Sequence, residues 1–255
     1  MSPSAVVASL RAAGCVFAEA EAQLLIASAA GPVELAEMLR RRVDGLPLEH
    51  VLGWARFCGL RIAVDPGVFV PRRRTEFLVE QAAAVARPHA VVVDLCCGSG
   101  AVGAALAAKL RQVRLYAADV DPAAVRCARR NIAEAGAVFE GDLYQALPGR
   151  LRGGVEVVVA NAPYVPTDEV ALMPSEARLH EPQVALDGGG DGLDIQRRVA
   201  AGAPDWLSPG GHLLIETSRR QAPHTAKIVA RAGLVPRTVR CDDLDATIVV
   251  GALPG

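Results

Sequence analysis

Aromatic side chains are scarce in this sequence of 255 residues, of which Phe, Trp and Tyr make up only 4%. An aromatic ring beside a motif is therefore unusually informative here. Charge of either sign is not in excess either, because the formal net charge is −1. Proteins that bind nucleic-acid phosphates usually carry a basic excess. The sequence therefore argues against stable nucleic-acid binding, although it permits a local basic patch.

Paired cysteines and long apolar runs are also missing. The six cysteines include no C-x-x-C pair, and none stands at metal-ligand spacing from a histidine, so no metal site is expected. Cys96 and Cys97 are adjacent, which suits a reducing compartment better than a disulfide framework. No basic segment precedes the short apolar run at the N-terminus, and no stretch is long enough to span a bilayer. These absences predict a cytoplasmic protein without a membrane partner.

Three parts are predicted from what the sequence does contain. Residues 1–50 show Ala-rich helical spacing, which predicts a small helical N-terminal domain. In residues 51–75, short apolar segments are separated by turns that contain glycine and proline. This pattern predicts a β-hairpin linker. Residues 76–255 alternate strands and helices, and Thr75 is predicted to cap the first of these helices. Such alternation indicates an α/β domain whose sheet is mostly parallel, and its last two strands are adjacent in the sequence.

A glycine-rich loop follows the first predicted strand of that sheet. Gly98-x-Gly100-x-x-Gly103 comes directly after the apolar run "AVVVDL" and opens a helix. A loop in this context is typical of nucleotide cofactor sites. Taken alone, the loop permits either a dinucleotide or S-adenosylmethionine.

Three acids favour S-adenosylmethionine. Asp94, Asp119 and Asp142 end three successive predicted strands, so they are expected at one edge of the sheet. A pyrophosphate at the helix N-terminus would be repelled by Asp94. The ammonium and sulfonium groups of S-adenosylmethionine suit nearby carboxylates instead. An oxidoreductase that uses a nicotinamide dinucleotide is therefore the less favoured interpretation.

The stretch "VVVANAPY" predicts a strand that ends in a substrate clamp. In a doubly wound sheet this strand returns beside the first one, which places Asn161 next to the glycine loop. Two acceptors, the Asn161 side-chain oxygen and the Ala162 carbonyl, can orient a planar –NH₂ group there. Pro163 stiffens the loop, and the Tyr164 ring can stack on a planar amide or base. The clamp would act by orientation and by stabilising charge that develops on nitrogen.

Several ordered segments resemble one known family. "NAPY" resembles the N/D-P-P-Y/F/W motif of methyltransferases that alkylate planar amino groups. "VFVPRRRTEFLVE", "HEPQVALDGGGDGLDIQRRV" and "SPGGHLLIE" are similar to segments of the HemK/PrmC-type protein-(glutamine-N5) methyltransferases. The resemblance implies a Rossmann-like class I methyltransferase sheet with a C-terminal antiparallel hairpin. It also implies S-adenosylmethionine as the methyl donor and a glutamine amide as the acceptor.

The family resemblance and the residues themselves together predict which residues form the site. Asn161 and Tyr164 are the predicted catalytic residues, and Asn161, Ala162, Pro163 and Tyr164 are predicted to bind the substrate. The predicted cofactor-binding residues are Asp94, Cys96, Cys97, Gly98, Ser99, Gly100, Asp119, Asp142, Leu143 and Asn161. The implied partner is a translation protein, either a release factor or a ribosomal protein. We expect a monomer, and the alternative activity is methylation of an exocyclic amino group of adenine or guanine.

Three departures from the family pattern bear on activity. Ala162 replaces the first proline of the clamp motif, which keeps the carbonyl but loses rigidity. Cys96 replaces the first loop glycine, so its φ must be negative or strain must be tolerated. Arg73 replaces a proline within the run Arg72–Arg74, which either grips an acidic partner or RNA or is a solvated flank of a helix.

Overall fold

Four helices form the N-terminal part of the computed structural model, which describes residues 1–255. They are α1 (Pro3–Ala12), α2 (Ala18–Ser28), α3 (Pro32–Val43) and α4 (Leu48–Leu52). α1 and α3 each begin with a proline, whose fixed φ and missing N–H suit the first helical position. Apolar faces of all four helices form a small core of their own, which includes Leu10, Leu25, Leu39 and Val51. The division of the chain at residues 50 and 75 stays a prediction.

A short β-hairpin follows these helices. β1 (Trp54–Phe57) pairs antiparallel with β2 (Leu60–Ala63), and an irregular segment then leads to a 3₁₀ turn at Arg73–Thr75. Thr75 precedes α5 (Glu76–Val85), but its hydroxyl makes no capping hydrogen bond. The predicted capping role of Thr75 is therefore wrong. Its own φ and ψ are already helical, whereas an N-cap residue adopts an extended conformation to bring its side chain over the first amides.

The rest of the chain builds one seven-stranded sheet with helices on both faces. Its first half contains β3 (Val91–Leu95), α6 (Ala101–Lys109), β4 (Arg114–Asp119), α7 (Pro122–Ile132), β5 (Gly136–Glu140) and β6 (Val155–Ala160). Its second half contains α8 (Thr167–Val170), α9 (Ser175–His180), α10 (Asp194–Trp206), β7 (Leu207–Glu216), α11 (Ala222–Arg231), β8 (Val235–Cys241) and β9 (Ala246–Ala252). The spatial order is β5-β4-β3-β6-β7-β9-β8.

The strand order confirms the predicted α/β class and the predicted return of β6. β3, β4, β5, β6 and β7 are parallel, and β9 joins them antiparallel before β8 closes the sheet. β6 lies beside β3, with Ala160 level with Leu95. Strands β3, β4 and β5 follow one another toward one edge of the sheet, and β6 returns to the other side of β3. The strand order therefore changes direction between β3 and β6. Ligands bind at such switch points, outside the carboxyl ends of the strands.

β7 begins at Leu207 and runs through Ser208-Pro209-Gly210-Gly211, although proline and glycine favour turns. Its first residue pairs with Val155 of β6, and a register shift between Val155 and Val157 accommodates the extra residues. Pairing with a neighbouring strand therefore overrides the local turn preference of proline and glycine. The long segment between β6 and α10 contains the two short helices α8 and α9.

None of the helices is both long enough and apolar enough to span a bilayer.

Candidate functional site

A large cavity opens at the switch point between β3 and β6. Its volume is about 740 Å³, which is within the range of small-molecule sites. One half is lined by the strand ends and the glycine loop, including Cys96, Gly98 and Asp119. The other half is lined by the clamp and by segments on either side of it, including Phe69 and Arg74. We call these the cofactor half and the acceptor half.

The glycine loop is shaped by carboxylates that accept hydrogen bonds from its own backbone. Gly98 N donates to Asp119 Oδ2 over 2.8 Å. Gly103 N, in the first turn of α6, donates to Asp94 Oδ2 over 3.0 Å. A pyrophosphate would need free amides at this helix N-terminus, but these two amides are already paired with carboxylates. This arrangement disfavours a dinucleotide in the cavity.

Asp94 is buried and Asp119 is half-buried, and loss of contact with water is the largest influence on the pKa values of both. Burial raises the pKa of Asp94 to about 7, although the Gly103 amide opposes the rise. Burial also raises the pKa of Asp119, against the hydrogen bonds from Asp121 and Gly98. A cation in the cavity would favour the ionised form of both carboxyls.

The predicted cofactor residues divide into those that face the cavity and those that support it. Cys96, Gly98, Asp119, Asp142, Leu143 and Asn161 line the cavity, whereas Asp94, Cys97, Ser99 and Gly100 lie behind that surface. Gly100 has a φ of +77°, and a Cβ at this position would lie 3.0 Å from Ala128 of α7. The close approach of α7 to the loop therefore requires glycine at this position. The roles of these residues toward a cofactor stay a prediction.

Two residues of the cofactor half adopt left-handed backbone conformations without being glycine. Cys96 has a φ of +56° and Leu143 a φ of +49°. Such conformations cost roughly 1–2 kcal/mol for a residue with a Cβ. Strained residues of this kind concentrate at ligand sites. The sequence required either a negative φ at Cys96 or tolerated strain. The structure has the strained, positive φ.

The clamp is held in place from behind by three backbone contacts and one side chain. Val165 N donates to Leu186 O, and Gly188 N donates to Val165 O. A Cβ on Gly188 would lie 2.7 Å from the Pro163 carbonyl oxygen, so only glycine allows these two loops to approach so closely. Gln221 Nε2 of the loop before α11 donates to the Tyr164 carbonyl over 2.9 Å.

Neither predicted acceptor of the clamp has a hydrogen-bond donor within the chain. Asn161 Nδ2 donates to the Thr75 hydroxyl over 3.2 Å, so the Asn161 side-chain oxygen is the end left for the cavity. The Ala162 carbonyl accepts no hydrogen bond from within the chain, and Ala162 lines the cavity. Tyr164 also lines it, largely buried, and burial raises the pKa of its phenol. The structure thus brings Asn161, Ala162, Pro163 and Tyr164 together at the cavity wall.

Another part of the cavity wall comes from the hairpin linker and from the segment between β6 and α10. Glu181 accepts hydrogen bonds from Val70 N and from Arg72, whose guanidinium lies 4.7 Å from the centre of the Phe69 ring. Arg72 therefore joins two walls of the cavity. Arg74 also lines the cavity, so two of the three arginines of the run are part of the site.

The helical N-terminal part also contacts this region. Arg42 of α3 forms a buried ion pair with Glu21 and bonds Glu176 of α9 over 2.7 Å. Pro47 and Glu49, at the start of α4, line the cavity directly. A macromolecular substrate that entered the acceptor half would therefore contact the N-terminal helices.

Three residues of the site were not anticipated from the sequence. Arg198 of α10 lines the cavity and forms an ion pair with Asp142. Thr75 orients Asn161, and Glu216 ends β7 beside it as a buried carboxyl. Glu216 carries the same signal as the three aspartates, an acid at a strand end. No local signal identifies Thr75 or Arg198.

Comparisons with known proteins fit this geometry. The sequence model of the methyltransferase small domain matches residues 59–195. The release factor glutamine methyltransferase of Geobacter sulfurreducens is 39% identical, over 79% of this chain and 72% of that protein. The release factor glutamine methyltransferase of Mycolicibacterium smegmatis is 37% identical, over 90% of this chain and 88% of its own length.

A solved methyltransferase from Pyrococcus furiosus has the same fold. It superposes with a TM-score of 0.60 at 16% identity and covers 86% of this chain and 100% of its own. The fold and the cavity at the switch point thus define a class I methyltransferase. Within that class, the chain belongs to the release factor glutamine methyltransferase family.

Proposed function

We propose that this protein transfers a methyl group from S-adenosylmethionine to the side-chain amide nitrogen of a glutamine in a peptide-chain release factor. The observation that carries the proposal is the pair of open acceptors, Asn161 Oδ1 and the Ala162 carbonyl, in a cavity that also contains Asp119. The names of the relatives support the glutamine acceptor and the release factor. A ribosomal protein is the other partner that the sequence resemblance allows.

The residues of the cofactor half fit S-adenosylmethionine. When bound, this cofactor supplies an electrophilic methyl group on a sulfonium. Asp119 at the end of β4 and Asp142, which follows β5, would offer carboxylates to its hydroxyl and amino groups, and a bound cation would favour the ionised form of Asp94 behind the loop. Six acidic side chains line the whole cavity, against three arginines: Glu49, Asp119, Asp121, Asp142, Glu176 and Glu181 against Arg72, Arg74 and Arg198. The charge left over is therefore negative, which suits a cationic ligand.

The clamp would act on the amide nitrogen of the substrate. An amide nitrogen is a poor nucleophile because its lone pair is delocalised over the carbonyl. Asn161 Oδ1 and the Ala162 carbonyl would each accept one N–H, which fixes the plane of the amide and directs its nitrogen toward the methyl group. The same two oxygens would stabilise positive charge as it develops on nitrogen. The proton lost from nitrogen would pass to water, because an amide protonated on nitrogen is so strong an acid that no dedicated base is needed.

We further propose that the protein acts as a monomer in the cytoplasm and does not bind nucleic acid stably. Its six cysteines are all free, which agrees with a reducing compartment. The near-neutral net charge agrees with a protein substrate rather than a nucleic acid.

One experiment tests the activity and its acceptor. The purified protein is incubated with S-adenosylmethionine and an intact release factor, and the product is digested and sequenced by mass spectrometry. We expect one added methyl group on the glutamine of the Gly-Gly-Gln loop. A release factor with glutamate at that position is the matched control, because it lacks the amide nitrogen. Methylation of RNA or DNA from a lysate, without modification of the factor, would instead support the alternative activity.

A further inference from the structure

Arg74 differs from the other two arginines of the cavity in its hydrogen bonds. Arg72 and Arg198 each donate to a carboxylate of the chain. The Arg74 side chain makes no such bond, because its nearest carboxylate oxygen, Oε1 of Glu216, lies 3.9 Å from Arg74 Nε. That distance is too long for a hydrogen bond. A guanidinium has five N–H donors, so Arg74 brings an open set of donors to the cavity wall.

The chain lies against the clamp at this point. The hydroxyl of Thr75, the next residue, accepts a hydrogen bond from Asn161 Nδ2 over 3.2 Å. Consecutive Cα atoms are about 3.8 Å apart, so Arg74 is one residue away from a direct contact with the clamp. Arg74 and the clamp residue Tyr164 both line the cavity. Arg74 therefore belongs to the acceptor half, in which the amide of the substrate would be held.

Exposure places Arg74 at the mouth of the acceptor half rather than at its floor. The Arg74 side chain is 44% exposed, whereas Ala162 of the clamp is 1% exposed. A glutamine that reaches the clamp must insert its whole side chain, so the backbone of that glutamine stays nearer to solvent. Donors at the mouth would therefore meet the backbone of the substrate segment rather than its side-chain amide.

The charge around the cavity indicates which acceptor Arg74 would bind. Six acidic side chains line the cavity against three arginines, so an acidic segment or a nucleic-acid phosphate would be repelled overall. A backbone carbonyl is a neutral acceptor and avoids this repulsion. The N–H groups of a guanidinium have a fixed fork geometry, so two of them can bind neighbouring carbonyls at once. Peptide carbonyl oxygens are therefore the acceptors that fit Arg74.

We propose that Arg74 is a substrate-binding residue whose guanidinium donates hydrogen bonds to backbone carbonyl oxygens of the segment that carries the glutamine. The inference rests on the proposed function, since it takes a protein segment as the substrate. It implies a preference for glutamine within a polypeptide over a small free amide, which has no backbone carbonyl for Arg74 to bind. It also gives Arg74 a role different from that of Arg72, which joins two walls of the cavity.

Binding of the substrate can be measured without turnover. The protein is saturated with S-adenosylhomocysteine and titrated with an intact release factor in a calorimeter. Arg74→Met removes the donors but keeps an apolar stem, and it should weaken the affinity for the factor about tenfold. Arg73→Met is the matched control, because it removes the same charge from an exposed neighbour that does not line the cavity, and it should bind as the wild type does. Unchanged affinity in Arg74→Met, or equal weakening in both variants, would overturn the proposal.

A release factor with alanine in place of the substrate glutamine separates the backbone of the substrate from its side chain. This factor keeps the backbone carbonyls, so Arg74→Met should weaken its binding about tenfold as well. An effect of Arg74→Met that disappears with the alanine factor would place Arg74 on the glutamine side chain and overturn the proposal. An effect that disappears at high salt would indicate an acidic side chain or a phosphate and would also overturn it.

Kinetics provide the second measurement. In Arg74→Met the KM for the factor should rise about tenfold, while kcat stays within about twofold of the wild type, because the lost contact holds substrate and transition state equally. Affinity for S-adenosylhomocysteine should not change, which also shows that the variant is folded. A lower kcat with unchanged KM would show that Arg74 acts on the reacting amide and would overturn the proposal. A wild-type protein that binds the factor but methylates no glutamine would refute the proposed function, and the calorimetric affinities would still decide the role of Arg74.

Discussion

The two halves of the cavity use their polar groups in opposite ways. In the cofactor half, Asp94 and Asp119 accept hydrogen bonds from amides of the glycine loop, so these carboxylates hold the backbone in shape. In the acceptor half, the Ala162 carbonyl and Asn161 Oδ1 have no donor within the chain, and the carboxyl of Glu216, buried behind that half, has no hydrogen bond. The polar groups of the cofactor half are therefore largely hydrogen-bonded within the protein. The acceptor half has acceptors that remain unpaired and can bind a ligand.

This difference implies that cofactor binding and methyl transfer depend on different residues. Groups that are satisfied internally can shape a site for a cofactor without any substrate present. Buried acceptors left open cost free energy in the empty protein, and that cost is recovered only when a donor arrives. Loss of an acceptor that faces the substrate should therefore lower turnover more than stability, whereas changes to the internally hydrogen-bonded groups of the cofactor half should alter stability.

The largest effect is expected for Asn161→Ala. It removes one of the two acceptors for the substrate amide and should lower kcat by about 10²–10³-fold, as for other groups that stabilise charge in a transition state. Affinity for S-adenosylhomocysteine, measured by calorimetry, should fall much less, because Asn161 is one of several residues around the cofactor half. Tyr164→Phe is the matched control, since it keeps the ring and removes only the hydroxyl.

A loss of cofactor affinity as large as the loss of kcat would contradict the division into two halves. It would show that Asn161 serves mainly to hold the cofactor. Normal turnover in Asn161→Ala would remove the clamp from the mechanism altogether.

Glu216→Gln should give the next largest effect, on stability rather than on turnover. Burial raises the pKa of Glu216 to about 7, above its ordinary value of 4.5. As pH rises from 4.5 to 7, the unfolded chain loses this proton while the folded protein keeps it, so stability falls. Above pH 7 the penalty is constant at about 3 kcal/mol. The variant should therefore be more stable than the wild type at pH 8 and similar to it near pH 4.5.

Denaturant unfolding at several pH values measures this difference. Glu140→Gln, at the exposed end of β5, is the control, because it removes a carboxyl from water rather than from the interior. An equal stability difference at pH 5 and pH 8 would mean that Glu216 does not change its protonation in this range. The acceptor half would then lack the unfavourable buried charge that the comparison assigns to it.

Much of the cofactor half could be predicted from the sequence, because its signals are local. The glycine loop and Asp94 lie within ten residues, and each further acid ends a predicted strand. The doubly wound order then brings those strand ends together without any long-range information. The fold was predictable for the same reason, except where pairing with β6 extended β7 through a proline and two glycines.

In the acceptor half, only the residues that are contiguous in the sequence could be predicted. Asn161–Tyr164 is one short motif, but Thr75 bonds Asn161 from 86 positions away in the chain. Thr75 also has the sequence context of a helix cap, and its hydroxyl proves to have another partner. A hydrogen bond between distant segments leaves no periodicity or spacing in the sequence. Such contacts become visible only in three dimensions.

A smaller effect is expected in the cofactor half from Cys96→Gly. The φ of +56° is strained for cysteine and ordinary for glycine, so the variant should gain about 0.5–1 kcal/mol in stability. Thermal unfolding should show a Tm about 1–3 °C higher. Cys97→Gly is the matched control, because Cys97 is buried and has no positive φ, and it should be destabilised. A lower Tm for Cys96→Gly would mean that packing of the Cys96 side chain outweighs the strain.

The smallest effect is expected from Ala162→Pro, which restores the proline of the family motif. Only the carbonyl of this residue is assigned a role, and proline keeps it. The Ala162 N–H donates no hydrogen bond within the chain, so proline removes none. The variant should keep wild-type kcat and gain about 0.4–1 kcal/mol in stability through lower entropy of the unfolded chain. A large fall in kcat would show that the acceptor half depends on freedom at residue 162, and that its open carbonyl must move to receive the substrate.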